Sequence, residues 1–277
     1  MDSKCNLSHG WCPDVPDTRD IESPRFQFVP KTHTRVDLRE EGLEFSCQSF
    51  SQSRSCAPVV LSLLDWSSRK WQGTPLTASA LFLHQMTLRL WGGGGAHGVS
   101  LRSTIKTLKR LGCPPERLFP SETNWSKDNP PTPELFSFTK PYSELSYFRI
   151  DTWKTPRSSL VAAIRNCLNA STPCLLGFPV PSSLSDGTSP TIPLDTSRGG
   201  TEGGTACIVL GYNDHHIVSP FIGCQTINHR HQNHGAFLIK TCWDKHWGAN
   251  GYGWLPFAYI ESSLARDIWF INHPDWK

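Results

Sequence analysis

The strongest constraint in this sequence is the place where its periodicity changes. Up to residue 169 the apolar runs have helical spacing; from residue 174 onward they are short, rich in β-formers and bounded by turn residues. After "SRSC", the run "APVVLSLLDWSSRK" puts Pro58 in a first turn and then has neither Pro nor Gly up to Lys70. It reads as a helix with Cys56 at its amino end. "TASALFLHQMTLRLWGGGG" reads as a second helix ended by glycines. In "SLRSTIKTLKRLGCPP", Ser100 is a candidate N-cap, Leu101, Ile105 and Leu108 share a face, and Gly112 with Pro114 stops the helix. Residues 114–147, rich in Pro, Ser and Thr, read as a connector, and "SSLVAAIRNCLN" as a short helix. Strands are expected at "CLLGFPV", "ACIVLGY", "HIVSPF", "GAFLIKTC", "GYGWLPF" and "DIWFI". Helices first and strands afterwards predict an α+β fold with two lobes.

Composition removes several function classes. The 277 residues are 18% charged and 11% aromatic, which is a globular balance and not a disordered one. A net charge of +3 without long Lys/Arg runs leaves no electrostatic footprint for nucleic acid. No stretch approaches ~20 uninterrupted apolar residues, so no membrane span is expected. The opening "MDSKCNLSHGWCPDVPDTRD" has no apolar core of a secretory signal. A cytoplasmic chain is therefore expected. Its ten cysteines are then free thiols, with disulfides the alternative, and the sequons at Asn6, Asn124 and Asn169 are unused.

By number alone Cys56, one of ten, reads as a buried hydrophobe. Its context suggests chemistry, because a helix amino end favours the thiolate and a small residue just upstream lets a substrate approach. Several longer strings then agree with one another. "VDLREEGLEFSCQSFSQSRSCAPVV", "GVSLRSTIKTLKRLGCPPERLFP", "GGTACIVLGYND" and above all "WDKHWGANGYGWLP" resemble the papain-like cysteine peptidases. "GWCPDVPDTRD" and "YIESSLARDIWFI" are similar to prodomain-free members of that family. The resemblance implies an extended arm over 1–33, a helical left lobe over 34–135 carrying Cys56, and a β-rich, barrel-like right lobe over 136–277.

That family's chemistry needs a thiolate nucleophile, an imidazole that exchanges the proton, an amide that orients the imidazole, and a Gln side chain with a backbone N–H for the oxyanion. The resemblance puts Cys56 at the nucleophile position, Thr205 at the histidine position and Thr241 at the asparagine position. The oxyanion position stays open between Gln48 and Phe50, depending on which flank sets the count. Gly203, Gly204, Trp243 and Trp247 are retained and are the candidate binding residues. A threonine hydroxyl, with a pKa far above neutral, can neither take a proton from a thiol nor return one to an amine at pH 7. His246, between Trp243 and Trp247, is the histidine that could substitute. His215 and His216 lie over ~20 Å along an extended chain from Thr205. His229, His231 and His234 could hold a metal or form a solvated hairpin, and their spacing matches no closed four-ligand site.

Three readings follow. The first is a catalytically inactive homologue whose interlobe cleft binds a peptide or partner protein segment. The second is a thiol enzyme using Cys56 with another proton carrier. The third is an interaction protein whose cleft is closed. An imidazole at the Cys56 sulfur would favour the second, and a cleft filled by the chain itself the third. No cofactor is expected, and oligomeric state is not set by the sequence.

Overall fold

The computed structural model describes residues 10–22, 33–45, 55–92, 98–121, 130–184, 189–194, 201–218, 234–243 and 245–276. The three leading helices form where local signals put them. Helix α1 (Cys56–Gln72) stops at Gly73, which takes φ 67° and donates its N–H to the Arg69 carbonyl. Helix α2 (Ala80–Trp91) starts at Ser79, whose hydroxyl accepts from Phe82 N at 3.1 Å. Helix α3 (Leu101–Leu111) has Ser100 as its cap, accepting from Ser103 N at 3.2 Å. Gly112 ends α3 at φ 70°, and a Cβ there would lie 2.1 Å from the Lys140 carbonyl oxygen. Leu101, Ile105 and Leu108 are all fully buried, as their spacing requires.

The strands are β1 (Arg35–Asp37), β2 (Ser146–Arg149), β3 (Cys174–Pro181), β4 (Thr201–Ile217), β5 (His234–Thr241), β6 (Tyr252–Pro256) and β7 (Arg266–Asn272). They form one antiparallel sheet in the order β2-β7-β3-β4-β5-β6, with β1 paired to β4 beyond the end of β3. Helix α4 (Arg157–Asn169) packs against β3 and β4, and the short α5 (Ala258–Glu261) against α4 and β6. Helices then sheet is the α+β architecture expected.

Two local expectations need correction. "HIVSPF" is not a strand of its own: His216 and Ile217 are the end of β4, which runs unbroken from Thr201. β1 and β2 fall in stretches read as non-strand. Both are short and partly exposed along their length, so no apolar alternation marks them.

The buried apolar side chains of the helices and the sheet form one continuous cluster, so the helical and β-rich parts share a core. Trp66 on α1 is fully buried and stacks on Phe45, ring centroids 5.0 Å apart. Among the described residues no helix is long and apolar enough to cross a membrane. The Trp66 indole nitrogen has no hydrogen-bond partner, so its contribution is packing, with the Lys70 ammonium 4.7 Å above its ring. Trp66→Ala is expected to cost about 3–5 kcal/mol in denaturant unfolding, and Trp66→Phe well under half of that.

Candidate functional site

Cys56 is the first residue of α1, where the helix meets β4. Ser55, just before it, does not cap its own helix; its hydroxyl accepts from Ala206 N at 3.1 Å. This bond fixes the start of α1 beside Thr205. Thr205 and Cys207 lie on one face of β4, and Cys207 is directly opposite Thr241 on β5. Cys56, Thr205 and Thr241 are therefore brought to one place, and each is fully buried.

The polar contacts of this group are not those of a triad. The Cys56 thiol donates to the Val99 carbonyl at 3.2 Å. The Thr205 hydroxyl lies 3.5 Å from the Ala206 carbonyl, and the Thr241 hydroxyl accepts from Trp243 N at 3.2 Å. His216 stacks on Trp254 and bonds Thr191 at the far end of β4, and His246 is exposed in the turn after β5. The expected lowering of the Cys56 pKa at a helix amino end does not occur. Burial pushes the thiol well above its usual value, and the neighbouring Asp14, Cys242, Cys12 and Asp267 push the same way. Desolvation over the whole side chain outweighs a dipole effect that is worth a fraction of a kcal/mol to about 2 kcal/mol.

The chain's own arm runs beside the buried thiol. Gly10 N and Trp11 N both donate to the Gly204 carbonyl, at 2.9 and 3.0 Å. On the other side Val99 N donates to Gly10 O at 2.9 Å, and Cys12 N to Val99 O at 3.0 Å. Residues 10–12 are thus pinned between the segment before α3 and the start of β4. Cys12 N and the Cys56 thiol share one carbonyl acceptor.

The Trp11 ring lies over Gly177 and Gly204. A Cβ at Gly177 would sit 2.0 Å from Trp11 Cε2, and one at Gly204 would sit 2.5 Å from Cε3. The indole N–H donates to Asp267 Oδ2 at 3.1 Å, and Asp14 N donates to the same oxygen at 2.7 Å. Trp269 Nε1 in turn donates to Asp14 Oδ2 at 2.9 Å.

The remaining candidate residues are placed as follows. Gly204 receives the arm, and Gly203 precedes it at φ 132°. Trp243 and Trp247, expected to line a binding surface, are buried and packed edge-to-face on each other at 4.5 Å. They support the strand end from within the core. Gln48, Phe50, His229 and His231 lie outside the described residues. His234 is the exposed first residue of β5, and among the described residues no three His, Cys, Asp or Glu side chains gather as a metal would need. Asp267, Asp14 and Gly177 were not singled out from sequence. The clue available was the polar pair before the apolar run in "ARDIWFI".

With the geometry in view, the likeness to known proteins can be measured. No protein-family model matches the sequence. An uncharacterised peptidase C1-like protein of Acanthamoeba polyphaga mimivirus is 27% identical over 180 residues, 63% of this chain. The match spans about half of that relative, 52% of its length. Xylellain, a cysteine protease from Xylella fastidiosa, superposes with a TM-score of 0.74 at 22% identity, covering 99% of this chain and 98% of its own. A procathepsin B of Trypanosoma congolense superposes at 0.60 with 16% identity, over 97% of this chain and 86% of its own. The fold is that of the papain-like cysteine proteases. The mimivirus match adds sequence support for homology with papain-like cysteine peptidases.

Within this papain-like frame four acids and two arginines meet where the arm joins the sheet. Asp14, Asp20, Asp151 and Asp267 face Arg102 and Arg149: Arg102 pairs with Asp20, and Arg149 with Asp20, Asp151 and Asp267. Burial, then the Asp14 carboxylate, pushes Asp267 up to about 7, against the pull of Arg149 and the Asp14 N–H. Asp14 is raised as well, chiefly by burial.

Two outcomes are expected. First, Trp11→Ala, by loosening residues 10–12 where Cys12 N shares the Val99 carbonyl with the thiol, should speed alkylation of Cys56 in the native protein by about tenfold or more, followed by peptide mass mapping. Second, a carboxyl raised in the docked state binds its proton more tightly there, so docking strengthens as pH falls below about 7. It weakens as pH rises through that value. Tm should therefore be higher near pH 5 than near pH 8 by a margin that shrinks in Asp267→Asn.

Proposed function

We propose that this protein is a catalytically inactive papain-like homologue whose cleft binds an extended peptide segment and does not cut it. What supports this reading is the pair of hydroxyls, Thr205 and Thr241, at the positions the sequence resemblance gives to proton transfer, with a buried thiol bonded to the Val99 carbonyl. A thiol that keeps its proton on a carbonyl is a poor nucleophile. An amide leaving group would depart without an acid, and an acyl-enzyme would have no base to activate water. Loss of the base alone costs about 10⁶ in kcat in a serine protease, which leaves residual catalysis only.

A second reading is favoured by one observation, the arm lying across the cleft: an interaction protein whose cleft stays closed and whose working surface is elsewhere. The two differ in whether an added peptide can compete with residues 10–14.

The catalytic part of the proposal is tested by hydrolysis of a broad peptide library. No turnover above a Cys56→Ala control is expected. A Cys56-dependent kcat near the ordinary enzyme range of about 1–10³ s⁻¹ would overturn it. Thr205→His alone should fail to restore amide cleavage, because Thr241 has no amide to orient the ring. Thr205→His with Thr241→Asn should exceed the single change by more than additivity, with an activated ester as the substrate that needs least acid help. Equal amide cleavage by the single and double variants would remove Thr241 from the orienting position.

A further inference from the structure

A concavity of about 870 Å³ opens where residues 16–22 of the arm pass the end of β2, the turn after it and the starts of α4 and β7. No residue of β3 or β4 lines it, and Cys56 does not. Its floor is apolar, since Leu160, Ile260 and Ala265 line it while belonging to the buried core. Its walls are held in place before any ligand arrives. Arg149 N donates to the Ile21 carbonyl at 3.0 Å, and the Thr152 hydroxyl donates to the Glu22 carboxylate, which fixes the arm as one wall. Thr155 N donates to the Thr152 carbonyl at 3.1 Å and closes a tight turn with Trp153 and Lys154 at its tip.

Charges of both signs line this concavity, but only one sign is uncommitted. Asp17 is paired with Arg19, Asp20 with Arg102 and Arg149, and Asp151 with Arg149. Glu22 is taken by the Thr152 hydroxyl. Lys154, Arg157 and Arg266 line the same space, are all exposed, and form no ion pair among the described residues. Arg266 is steadied by its Nε, which donates to the Ser263 carbonyl at 2.8 Å. Trp153 adds an indole that is 82% exposed, with Lys154 Nζ 5.3 Å from its ring centroid. A large apolar ring held in water on a closed turn, beside an apolar floor and a cationic rim, is surface that a partner would cover.

We infer that this concavity docks an acidic segment of a partner protein, with an apolar side chain on the floor and carboxylates at Lys154, Arg157 and Arg266. Charge sets the sign of the ligand, because every acid of the lining already has a partner within the chain and the three cations have none. Exposure of the cations sets its size. An exposed ion pair adds little by itself, so a small anion that met one of them would be held weakly. A segment that meets all three and buries an apolar side chain sums these contributions, and the uncommitted positive charge speeds its approach. The inference does not depend on the cleft: none of these contacts involves Cys56, Thr205 or Thr241, and docking here is compatible with a cleft that is open or closed.

The test uses the full-length chain and a fluorescently labelled peptide, Glu-Asp-Leu-Asp-Glu, followed by anisotropy. Saturable binding to the wild-type protein is expected, weakening as salt is added. Arg157→Glu and Arg266→Glu should each weaken it about fivefold or more, and Trp153→Ala about threefold. These side chains are exposed, so the variants should keep the wild-type Tm. Lys140→Glu makes the same change of net charge at an exposed site outside the concavity, and should leave the affinity within about twofold. Replacing the probe's Leu by Ser should weaken binding, and the sign-reversed peptide Lys-Lys-Leu-Lys-Lys should not bind. Absence of saturable binding overturns the inference. An equal loss in Lys140→Glu also overturns it, since net charge alone would then explain the effect, and so does equal affinity of the Leu and Ser probes. Displacement of the probe by an equal concentration of inorganic phosphate would assign the cations to a small anion and overturn the protein segment as ligand.

Discussion

Everything in the cleft hangs on β4. This strand of seventeen residues is bonded on one edge to β3 as far as Val209 and then to β1 from Gly211, and on the other edge to β5. Gly211 permits the handover, since a Cβ there would lie 2.4 Å from the Val36 carbonyl oxygen. With both edges satisfied the strand cannot shift by one residue without turning its whole buried face outward. Its first residues then become fixed points: Gly204 O for the arm, Ala206 N for Ser55, and Thr205 buried between them. Each bond is worth only about 1 kcal/mol net, but an unpaired buried amide costs more. The mutual position of helix α1 and the sheet follows from that accounting.

Much of this was legible in the sequence where the cause is local. Ser100 and Gly112 bracket a helix by their own chemistry, Cys56 opens α1, and the β-branched runs after residue 174 became strands. The alignment of Thr205 and Thr241 with a site needed the resemblance, and the β4–β5 register puts Cys207, two residues past Thr205, opposite Thr241. What the sequence hid has causes far away along the chain. The acidity of Cys56 was read from the helix end alone, whereas burial decides it. Nothing in "ARDIWFI" announces that its Asp adopts a left-handed backbone and accepts from a residue near the other end of the chain. β1 and β2 were missed because a partly exposed edge strand needs little apolar pattern.

Thr205 and Thr241 suit the strands that carry them. Threonine is β-branched and packs well on a pleated surface, and at Thr241 its hydroxyl closes a local bond to Trp243 N. Around them the supporting structure is intact: Trp243 and Trp247 pack on each other, and Phe178 packs on Trp243 and Tyr259.

The bonds joining the arm to β7 have a consequence for how the molecule assembles. Trp11 and Asp267 are 256 positions apart, Asp14 and Trp269 are 255, and closing so long a loop carries a large entropic cost that only a preformed surface can offset. While the chain is being synthesised, residues 10–14 emerge long before the carboxylate that receives them. The arm therefore waits undocked beside Val99 and Gly204 until β7 joins the sheet.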